Sequence, residues 1–268
     1  MTTTVGWCTD LHLDFLSQRA FGTLIGHMNF TPKVEFWVCT GDVSNAEQVE
    51  GHLDFLVNNL SVPLFFVLGN HDFYCGSFEG VRKTTSKNHK DRYLTCSGPI
   101  LINSDFALVG HDGWYDGGYS NWFADNVVRM FDYEAIKELN KVQHNKELLY
   151  AKLRDQARKA TKKLRKDIIR ASVTHRHIVV ATHVPPFREN AVYNGEISND
   201  IWLPNFSSKT MGDMLLDVAS SLSETHKFTV LCGHSHGDAE SNPLPNLRVL
   251  TGYSQYTNPW KSIKVLEL

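Results

Sequence analysis

Eight side chains that can bind metal ions or carry protons follow five short apolar runs of the sequence. The runs are VGWCT, EFWVCT, PLFFVL, HIVVAT and FTVLC, and the side chains directly after them belong to Asp10, His12, Asp42, Asn70, His71, His183, His234 and His236. In open α/β sheets, ligands bind outside the carboxyl ends of the strands. We therefore predict that five strand ends bring these residues to one edge of a sheet.

The residue types indicate the kind of ligand. Two carboxylates, one amide oxygen and several imidazoles, without a thiolate, suit manganese, iron, zinc, cobalt or nickel. Seven candidate ligands exceed the four of a tetrahedral zinc site, and they fit two metal ions that share one carboxylate. A buried His or Asp that only hydrogen-bonds to its neighbours would explain one such strand end, but not five in succession.

Alternating patterns along the chain predict the elements that hold these residues. The five runs, at 5–9, 35–40, 63–68, 177–182 and 228–232, are apolar on both faces and indicate buried strands. Helical stretches at about 17–30, 45–60 and 210–225 alternate with them, which is typical of an α/β fold. Further strands are predicted at 106–112, 247–251 and 262–268.

The segment from about 75 to 176 interrupts this alternation. It contains an aromatic, glycine-rich loop at 113–123 and a long helical stretch at roughly 133–172. We predict a single domain, 1–268, with an insertion or cap at about 75–176. The aromatic loop either stacks on a planar part of the substrate or forms a small core of its own.

The helical stretch is strongly basic. Residues 134–177 contain thirteen Lys or Arg and five Asp or Glu, a net charge of +8. Such a stripe can bind nucleic acid. Lys and Arg are also good helix formers on a solvated face, so contact with nucleic acid is possible through this helix but not favoured.

The composition is that of an ordinary globular protein. The 268 residues are 42% hydrophobic and 21% charged, and the net charge of −2 gives no overall attraction to nucleic acid or a membrane surface. No signal peptide and no apolar run long enough to span a membrane are evident. Five scattered cysteines without a CxxC pair fit a reducing compartment. We expect a cytoplasmic protein with no membrane partner, and the sequence does not reveal its oligomeric state.

Five blocks together resemble the calcineurin-like metallophosphoesterase superfamily, and they occur in the family's order between residues 10 and 236. The blocks are Asp10-x-His12, Gly41-Asp42-x-x-Asn45, Gly69-Asn70-His71-Asp72, His183 and Gly233-His234-x-His236. The resemblance implies a four-layer αββα sandwich of two mixed sheets flanked by helices, with a two-metal site at one edge.

The resemblance also implies a role for each residue. One metal ion would be held by Asp10, His12, Asp42 and His236. The other would be held by Asp42, Asn70, His183 and His234, so that Asp42 bridges the two. His71 would not be a ligand but would face the substrate and protonate the leaving group. Asn45 and Asp72 are candidates for orienting these residues, and His111 and Arg188 for contacting substrate.

The implied activity is hydrolysis of phosphate mono- or diesters, of nucleotides or other small molecules, by a hydroxide that bridges two divalent metal ions. Manganese is the expected metal, with iron, zinc, cobalt or nickel as alternatives. A nuclease remains an alternative, and so does a protein serine/threonine phosphatase, although GDVSNAEQ lacks the Asp-Arg-Gly that this branch usually carries after its Gly-Asp. A catalytically inert binding or scaffold member is the non-enzyme alternative, but no expected ligand is missing.

Overall fold

Twelve strands and nine α-helices form within the part of the chain that the computed structural model describes, residues 3–123, 128–222 and 225–268. The strands are β1 Thr4–Cys8, β2 Phe36–Thr40, β3 Leu64–Val67, β4 Ile100–Leu101, β5 Phe106–Gly110, β6 His177–Ala181, β7 Val192–Tyr193, β8 Glu196–Ile197, β9 Lys227–Cys232, β10 Ala239–Leu244, β11 Leu247–Thr251 and β12 Lys264–Glu267. The helices are α1 Gln18–Phe30, α2 Val49–Asn59, α3 Phe78–Asn88, α4 Leu94–Ser97, α5 Asp132–Ala135, α6 Lys137–Asn140, α7 Lys146–Ser172, α8 Leu203–Phe206 and α9 Lys209–Ser221.

Two mixed sheets form the centre of the molecule. The first has the strand order β12-β1-β2-β3, and the second has the order β10-β11-β9-β6-β5-β4. The inner strands of both sheets are parallel, and the antiparallel strands β12, β10 and β4 lie at the edges. Because the inner strands are parallel, their carboxyl ends lie at one side of each sheet.

Alternation along each strand divides the core into three parts. In β1, Val5 and Trp7 face the second sheet, whereas Cys8 faces the helices. In β6, Val179 faces the first sheet, whereas Val180 faces the helices on the other side. Successive side chains of a strand point to opposite faces, so an unbroken apolar run supplies two core layers at once.

Helices cover the outer face of each sheet. The core on the outer face of the first sheet includes Leu24 of α1 and Leu53 of α2, and that of the second includes Leu164 of α7 and Leu215 of α9. The layers are therefore helix, sheet, sheet and helix, which confirms the predicted αββα sandwich.

The predicted long helix is shorter than the sequence pattern suggested. A continuous helix over 134–177 is wrong: α5 and α6 occupy 132–140, α7 begins at Lys146, and residue 177 already belongs to β6. Ile136 is extended between α5 and α6. Asn145 begins α7 as its N-cap, because its side chain accepts a hydrogen bond from the Leu148 N–H.

The segment 75–176 contributes to the sandwich itself. Its strand β5 pairs with β6 inside the second sheet, and α7 packs on α9. In the aromatic loop, Trp114, Tyr115 and Trp122 are buried in the large core on the outer face of the first sheet, so the loop packs on that core and does not form a small core of its own. The division into one domain with an insertion stays a prediction. Among the described residues, no helix is both long and apolar enough to cross a membrane.

Candidate metal centre

The candidate residues meet at the carboxyl ends of β1, β2, β3, β6 and β9. Backbone hydrogen bonds join the loops that follow these strands: the Asp10 N–H donates to Gly41 O (2.9 Å), the His12 N–H to Asp42 O (3.0 Å), and the Gly233 N–H to His183 O (2.8 Å). The last of these bonds connects the two strand ends of the second sheet. The scaffold therefore fixes the loops directly to one another.

Five of the seven candidate ligands have backbone conformations in the left-handed region. Their φ angles are +49° for Asp10, +44° for His12, +53° for Asp42, +70° for His234 and +60° for His236. Positive φ is uncommon for residues other than glycine, and it persists where the surrounding structure over-determines it. The clustering at one site indicates that these loops are shaped to present their side chains.

One group of donors consists of Asp10, His12, Asp42 and His236, whose ligand atoms lie within 4.8 Å of one another. The His236 Nε2 lies 3.3 Å from Asp10 Oδ1 and 3.3 Å from His12 Nε2. The His12 Nε2 lies 3.9 Å from Asp42 Oδ2. These are the four residues that the resemblance assigned to one metal ion.

A second group lies on the other side of Asp42. The His183 Nε2 is 3.4 Å from Asp42 Oδ1 and 3.0 Å from Asn70 Oδ1, and the His234 Nδ1 is 2.8 Å from Asn70 Oδ1. Asp42 thus directs Oδ2 to the first group and Oδ1 to the second. The structure brings all seven predicted ligands together, with Asp42 between the two groups.

Backbone carbonyls fix which ring nitrogen each histidine of the second group presents. The His183 Nδ1 lies 2.8 Å from Thr40 O, and the His234 Nε2 lies 3.0 Å from Asn205 O. Since a carbonyl only accepts, these nitrogens carry the protons and the opposite nitrogens face Asn70. Such outer hydrogen bonds hold metal-binding histidines in the correct tautomer and orientation.

The donor set fits two divalent cations. The His12 and His236 rings bring their Nε2 atoms together, and Asn70 Oδ1 faces two imidazole nitrogens. Ionised carboxylates, the amide oxygen and the unprotonated nitrogens of neutral imidazoles all accept hydrogen bonds. Because most of the converging atoms are acceptors, they satisfy one another poorly. A cation at each group would satisfy them, and their mixture of oxygen and nitrogen suits a borderline metal.

The two carboxylates remain ionised despite their burial. Burial raises the pKa of Asp10, but the hydrogen bond and charge of His236 outweigh it and lower the pKa to about 2. Burial likewise raises the pKa of Asp42, and the charges of His183 and His71 bring it well below its ordinary value. Both residues are therefore in the anionic form that binds metal.

The buried histidines differ in their protonation. Burial lowers the pKa of His12 to about 3, and burial together with the charge of His183 lowers the pKa of His234 to about 4. Burial also lowers the pKa of His183, but the charge of Asp42 outweighs it and raises the pKa to about 10. His12 and His234 are thus ready to bind metal, whereas His183 must release a proton first.

His71 lies beside the Asp42 carboxylate and is more accessible than the two most deeply buried histidine ligands. Its side chain is 20% exposed, against 0% for His12 and 1% for His183. Its backbone N–H donates to Asp42 Oδ1 (2.8 Å), and its Nε2 lies 3.9 Å from Asp42 Oδ2. The ring packs against Tyr74 with 4.3 Å between centroids. This position is consistent with a group that faces substrate.

Asp72 joins two of the ligand loops. Its Oδ1 accepts from the Ser44 N–H (2.8 Å) and its Oδ2 from the Gly69 N–H (2.7 Å), so it connects the loop after β2 to the loop after β3. Asn45 accepts from the Glu47 N–H (3.1 Å) within its own turn, and its Nδ2 donates to Asp14 Oδ2 over a longer distance of 3.4 Å. In the structure, Asp72 is the better placed of the two for positioning ligands.

The side chains of the other two candidates have partners outside the set of metal ligands. His111 is buried, and its Nδ1 accepts from the Gly113 N–H (3.2 Å). Arg188 pairs with Asp200 at the surface, with 2.5 Å between Nη2 and Oδ1. Neither residue lines the cavity described below. Substrate contact by His111 or Arg188 stays a prediction.

Sequence reasoning missed a hydrogen-bonded chain behind Asn70. The Asn70 Nδ2 donates to the Tyr74 hydroxyl (3.0 Å), which donates to Asp132 Oδ2 (3.1 Å). This chain turns the Asn70 oxygen toward the histidines. Tyr74 follows the GNHD block closely and could have been considered, but nothing in the sequence connects Asp132 to a residue 58 positions earlier.

A cavity of about 880 Å³ opens over the donor cluster. Its floor includes Asp42, Asn70, His71, His234 and His236. Aromatic and aliphatic side chains dominate its walls: Tyr74, Met130, Phe131, Tyr193, Ile197, Trp202, Phe206 and Tyr256. Asp132, Glu196, Ser198, Asn199 and Ser235 complete the lining. A molecule in this cavity would contact the polar floor and the apolar walls at the same time.

Comparisons with known proteins agree with this geometry. The family model for the calcineurin-like phosphoesterases matches residues 3–238. A dimetal phosphatase from Danio rerio superposes with a TM-score of 0.62 at 14% identity, covering 99% of this chain and 92% of its own. The phosphopantetheinyl hydrolase of Mycobacterium tuberculosis superposes with a TM-score of 0.61 at 12% identity, covering 99% and 96%. Such low identities show a shared fold, and no curated protein matches in sequence. The family match over nearly the whole chain leads to one conclusion: this protein is a member of the calcineurin-like phosphoesterase family.

Proposed function

We propose that the protein hydrolyses small phosphate mono- or diesters with two divalent metal ions, manganese being the expected metal. One observation carries the proposal: seven donors form two groups that share Asp42, and His71 stands beside that shared carboxylate on the floor of a cavity. Asp10, His12, Asp42 and His236 would hold one ion. Asp42, Asn70, His183 and His234 would hold the other.

When bound, the two ions would supply positive charge to a phosphoryl group and lower the pKa of a coordinated water. The residues of the chain do the rest. His71 holds a proton at Nε2 and gives it to the leaving oxygen, a step that contributes about 10²–10⁴-fold in comparable enzymes. Tyr74 packs against the His71 ring and limits its orientation.

The basic helix has no visible part in this chemistry. Two of its cations form ion pairs with acids on the same helix, Lys159 with Asp155 and Lys163 with Asp167. No cation of the described part of α7 lines the cavity. Cleavage of nucleic acid therefore lacks a supporting observation. All five cysteines are free, which supports a reducing, cytoplasmic setting as part of the proposal.

The test is a panel of phosphate mono- and diesters, including p-nitrophenyl phosphate, bis(p-nitrophenyl) phosphate and cyclic nucleotides, assayed with added manganese. We expect hydrolysis by the wild type and about two metal ions per chain by elemental analysis. His71→Ala should lower turnover at least 100-fold and keep both metal ions. Asn70→Ala should lose metal and turnover together.

Two results would contradict the proposal. A metal-loaded wild type that hydrolyses no ester of the panel would favour a binding or scaffold role. Loss of a metal ion in His71→Ala would show that this residue is a ligand rather than a proton donor.

A further inference from the structure

The walls of the cavity expose an unusual amount of apolar surface. Five large side chains of the lining are 42–61% exposed: Phe131, Tyr193, Ile197, Trp202 and Tyr256. Scattered apolar residues are normal on a protein surface, but a contiguous apolar patch marks a place where a ligand or partner binds. Here the patch is continuous with the floor that carries His71 and the metal ligands.

Within the described part of the chain, the cavity wall offers no cationic side chain to additional phosphates. Among the described residues that line the cavity, none is Lys or Arg, and the ionisable groups of the wall include Asp132 and Glu196. A nucleoside polyphosphate or a nucleic acid carries negative charges beyond the phosphoryl group that reacts. Those charges would meet carboxyl groups and apolar surface instead of the basic side chains that usually receive them.

Aromatic rings of the wall pack directly beside His71 and the metal ligands. The Tyr74 ring lies 4.3 Å from the His71 ring and 5.1 Å from the Phe131 ring, measured between centroids. On the other side, the Tyr256 ring lies 4.4 Å from the His12 ring. A leaving group that takes a proton from His71 would therefore lie against aromatic surface.

A short hairpin holds part of the apolar wall in a fixed place. Strands β7 and β8 are joined by Asn194 and Gly195, whose φ angles of +51° and +81° match a two-residue type I′ turn. At its base, buried Asn190 donates from Nδ2 to Val249 O (3.2 Å) and accepts at Oδ1 from Ser241 (2.6 Å). The base is fixed to the second sheet, whereas the Tyr193 and Ile197 side chains remain free to contact a ligand.

We infer that this site takes phosphoesters whose leaving alcohol is uncharged and predominantly apolar, and that the β7–β8 hairpin contributes to that selection. The inference rests on the proposed function for the position of the phosphoryl group at the donor cluster. Alkyl and aryl alcohols share the chemistry that the wall recognises. The shared property is an apolar body without a second anionic group.

The experiment measures binding, so that it does not depend on turnover. Manganese-loaded protein is titrated calorimetrically with methyl-, butyl- and octylphosphonate. Benzylphosphonate serves as the aromatic ligand, and ADP as the ligand with additional negative charge. Each methylene of the alkyl chain that the cavity wall buries should tighten binding by about threefold to fourfold. Benzylphosphonate should bind more tightly than methylphosphonate, and ADP more weakly than octylphosphonate.

Variants assign the effect to the hairpin. In the double variant Tyr193→Ala/Ile197→Ala, the loss of each side chain should weaken the binding of octylphosphonate by about fivefold, because the ligand would bury about half of that side chain's surface. The dependence of affinity on chain length should become shallower. Phe30→Ser is the matched control: Phe30 is 89% exposed and lies outside the cavity, so the chain-length dependence should stay as in the wild type.

The outcomes separate the two proposals. Affinity that does not change with chain length, or ADP binding more tightly than octylphosphonate, would overturn the inference whether or not the protein is an enzyme. Chain-length dependence that persists fully in the double variant would overturn the role of the hairpin. Chain-length-dependent binding with no hydrolysis of any ester would support the apolar site and contradict the proposed function instead.

Discussion

A methyl group added at Gly69 should disable the centre by displacing the shared carboxylate. An ideal Cβ at this position would lie 2.1 Å from Asp42 Oδ1 and 2.6 Å from His183 Cε1. Since side-chain Cβ atoms essentially never approach a neighbour within 3.0 Å, the carboxylate or the loop must move by about 0.9 Å. Asp42 Oδ1 is buried and already accepts the His71 N–H, so the movement cannot be confined to one atom.

The expected loss follows from that displacement. A misplacement of about 1 Å in a catalytic site can cost about 100-fold in rate, and disturbed metal ligation costs about 10–100-fold in affinity. We therefore expect Gly69→Ala to lower kcat/KM for bis(p-nitrophenyl) phosphate by about 100-fold. Its metal-free fold should lose about 1–3 kcal/mol, as in other overpacked sites. Manganese titration and thermal melting by circular dichroism separate these effects.

Gly51→Ala is the matched control. Gly51 lies in α2, and an added Cβ would meet nothing within 4 Å. Because alanine favours a helix over glycine by about 0.5–1 kcal/mol, this variant should be slightly more stable and fully active. If Gly69→Ala kept both metal ions and stayed within about threefold of the wild-type rate, the close packing of Asp42 against Gly69 would have no functional consequence and the reasoning would be refuted.

Three further perturbations test other parts of the structure. Tyr74→Phe removes the hydroxyl between Asn70 and Asp132 and should weaken manganese binding by about 10–100-fold; an unchanged titration would show that Asn70 needs no such support. Chelation by EDTA should lower the melting temperature, and manganese at 100 times its Kd should restore about 2.7 kcal/mol. Asp112→Asn should cost about 2–3 kcal/mol in urea unfolding, because Arg82 keeps its charge and loses its partner. Burial raises the pKa of Asp112 but Arg82 outweighs it and lowers the pKa, so this stabilisation is present above the ordinary carboxyl pKa and disappears as the pH falls through the lowered value. The wild type should therefore lose stability more steeply than Asp112→Asn below about pH 4; parallel curves would contradict this assignment.

The layers of the fold could be predicted because their signal is local. The run FWVC at 36–39 is apolar at every position, and a strand that contributes to a core on both faces needs that pattern. The candidate ligands were predictable for the same reason, since each follows its strand directly. The two sheets pack face to face with the carboxyl ends of their parallel strands on the same side, which brings together residues as distant as Asp10 and His236.

The features that were missed depend on contacts between distant segments. The sequence pattern predicts that the helical stretch begins at about 133, yet Ile136 is extended and α7 begins only after its N-cap, Asn145. Periodicity reports which residues are buried, not where the backbone bends. Asp132 is a carboxylate like any other in the sequence, and only the fold brings it to Tyr74.

The left-handed backbone of the ligand loops makes this centre a site of conflict between folding and function. Each of the five non-glycine residues with positive φ costs the fold about 1 kcal/mol, and about 5 kcal/mol in total is comparable with the net stability of a small domain. Glycine at such a position would relieve the strain but remove a ligand. Selection for a more stable metal-free chain would thus erode the very residues that bind metal, and only selection for activity keeps them in place.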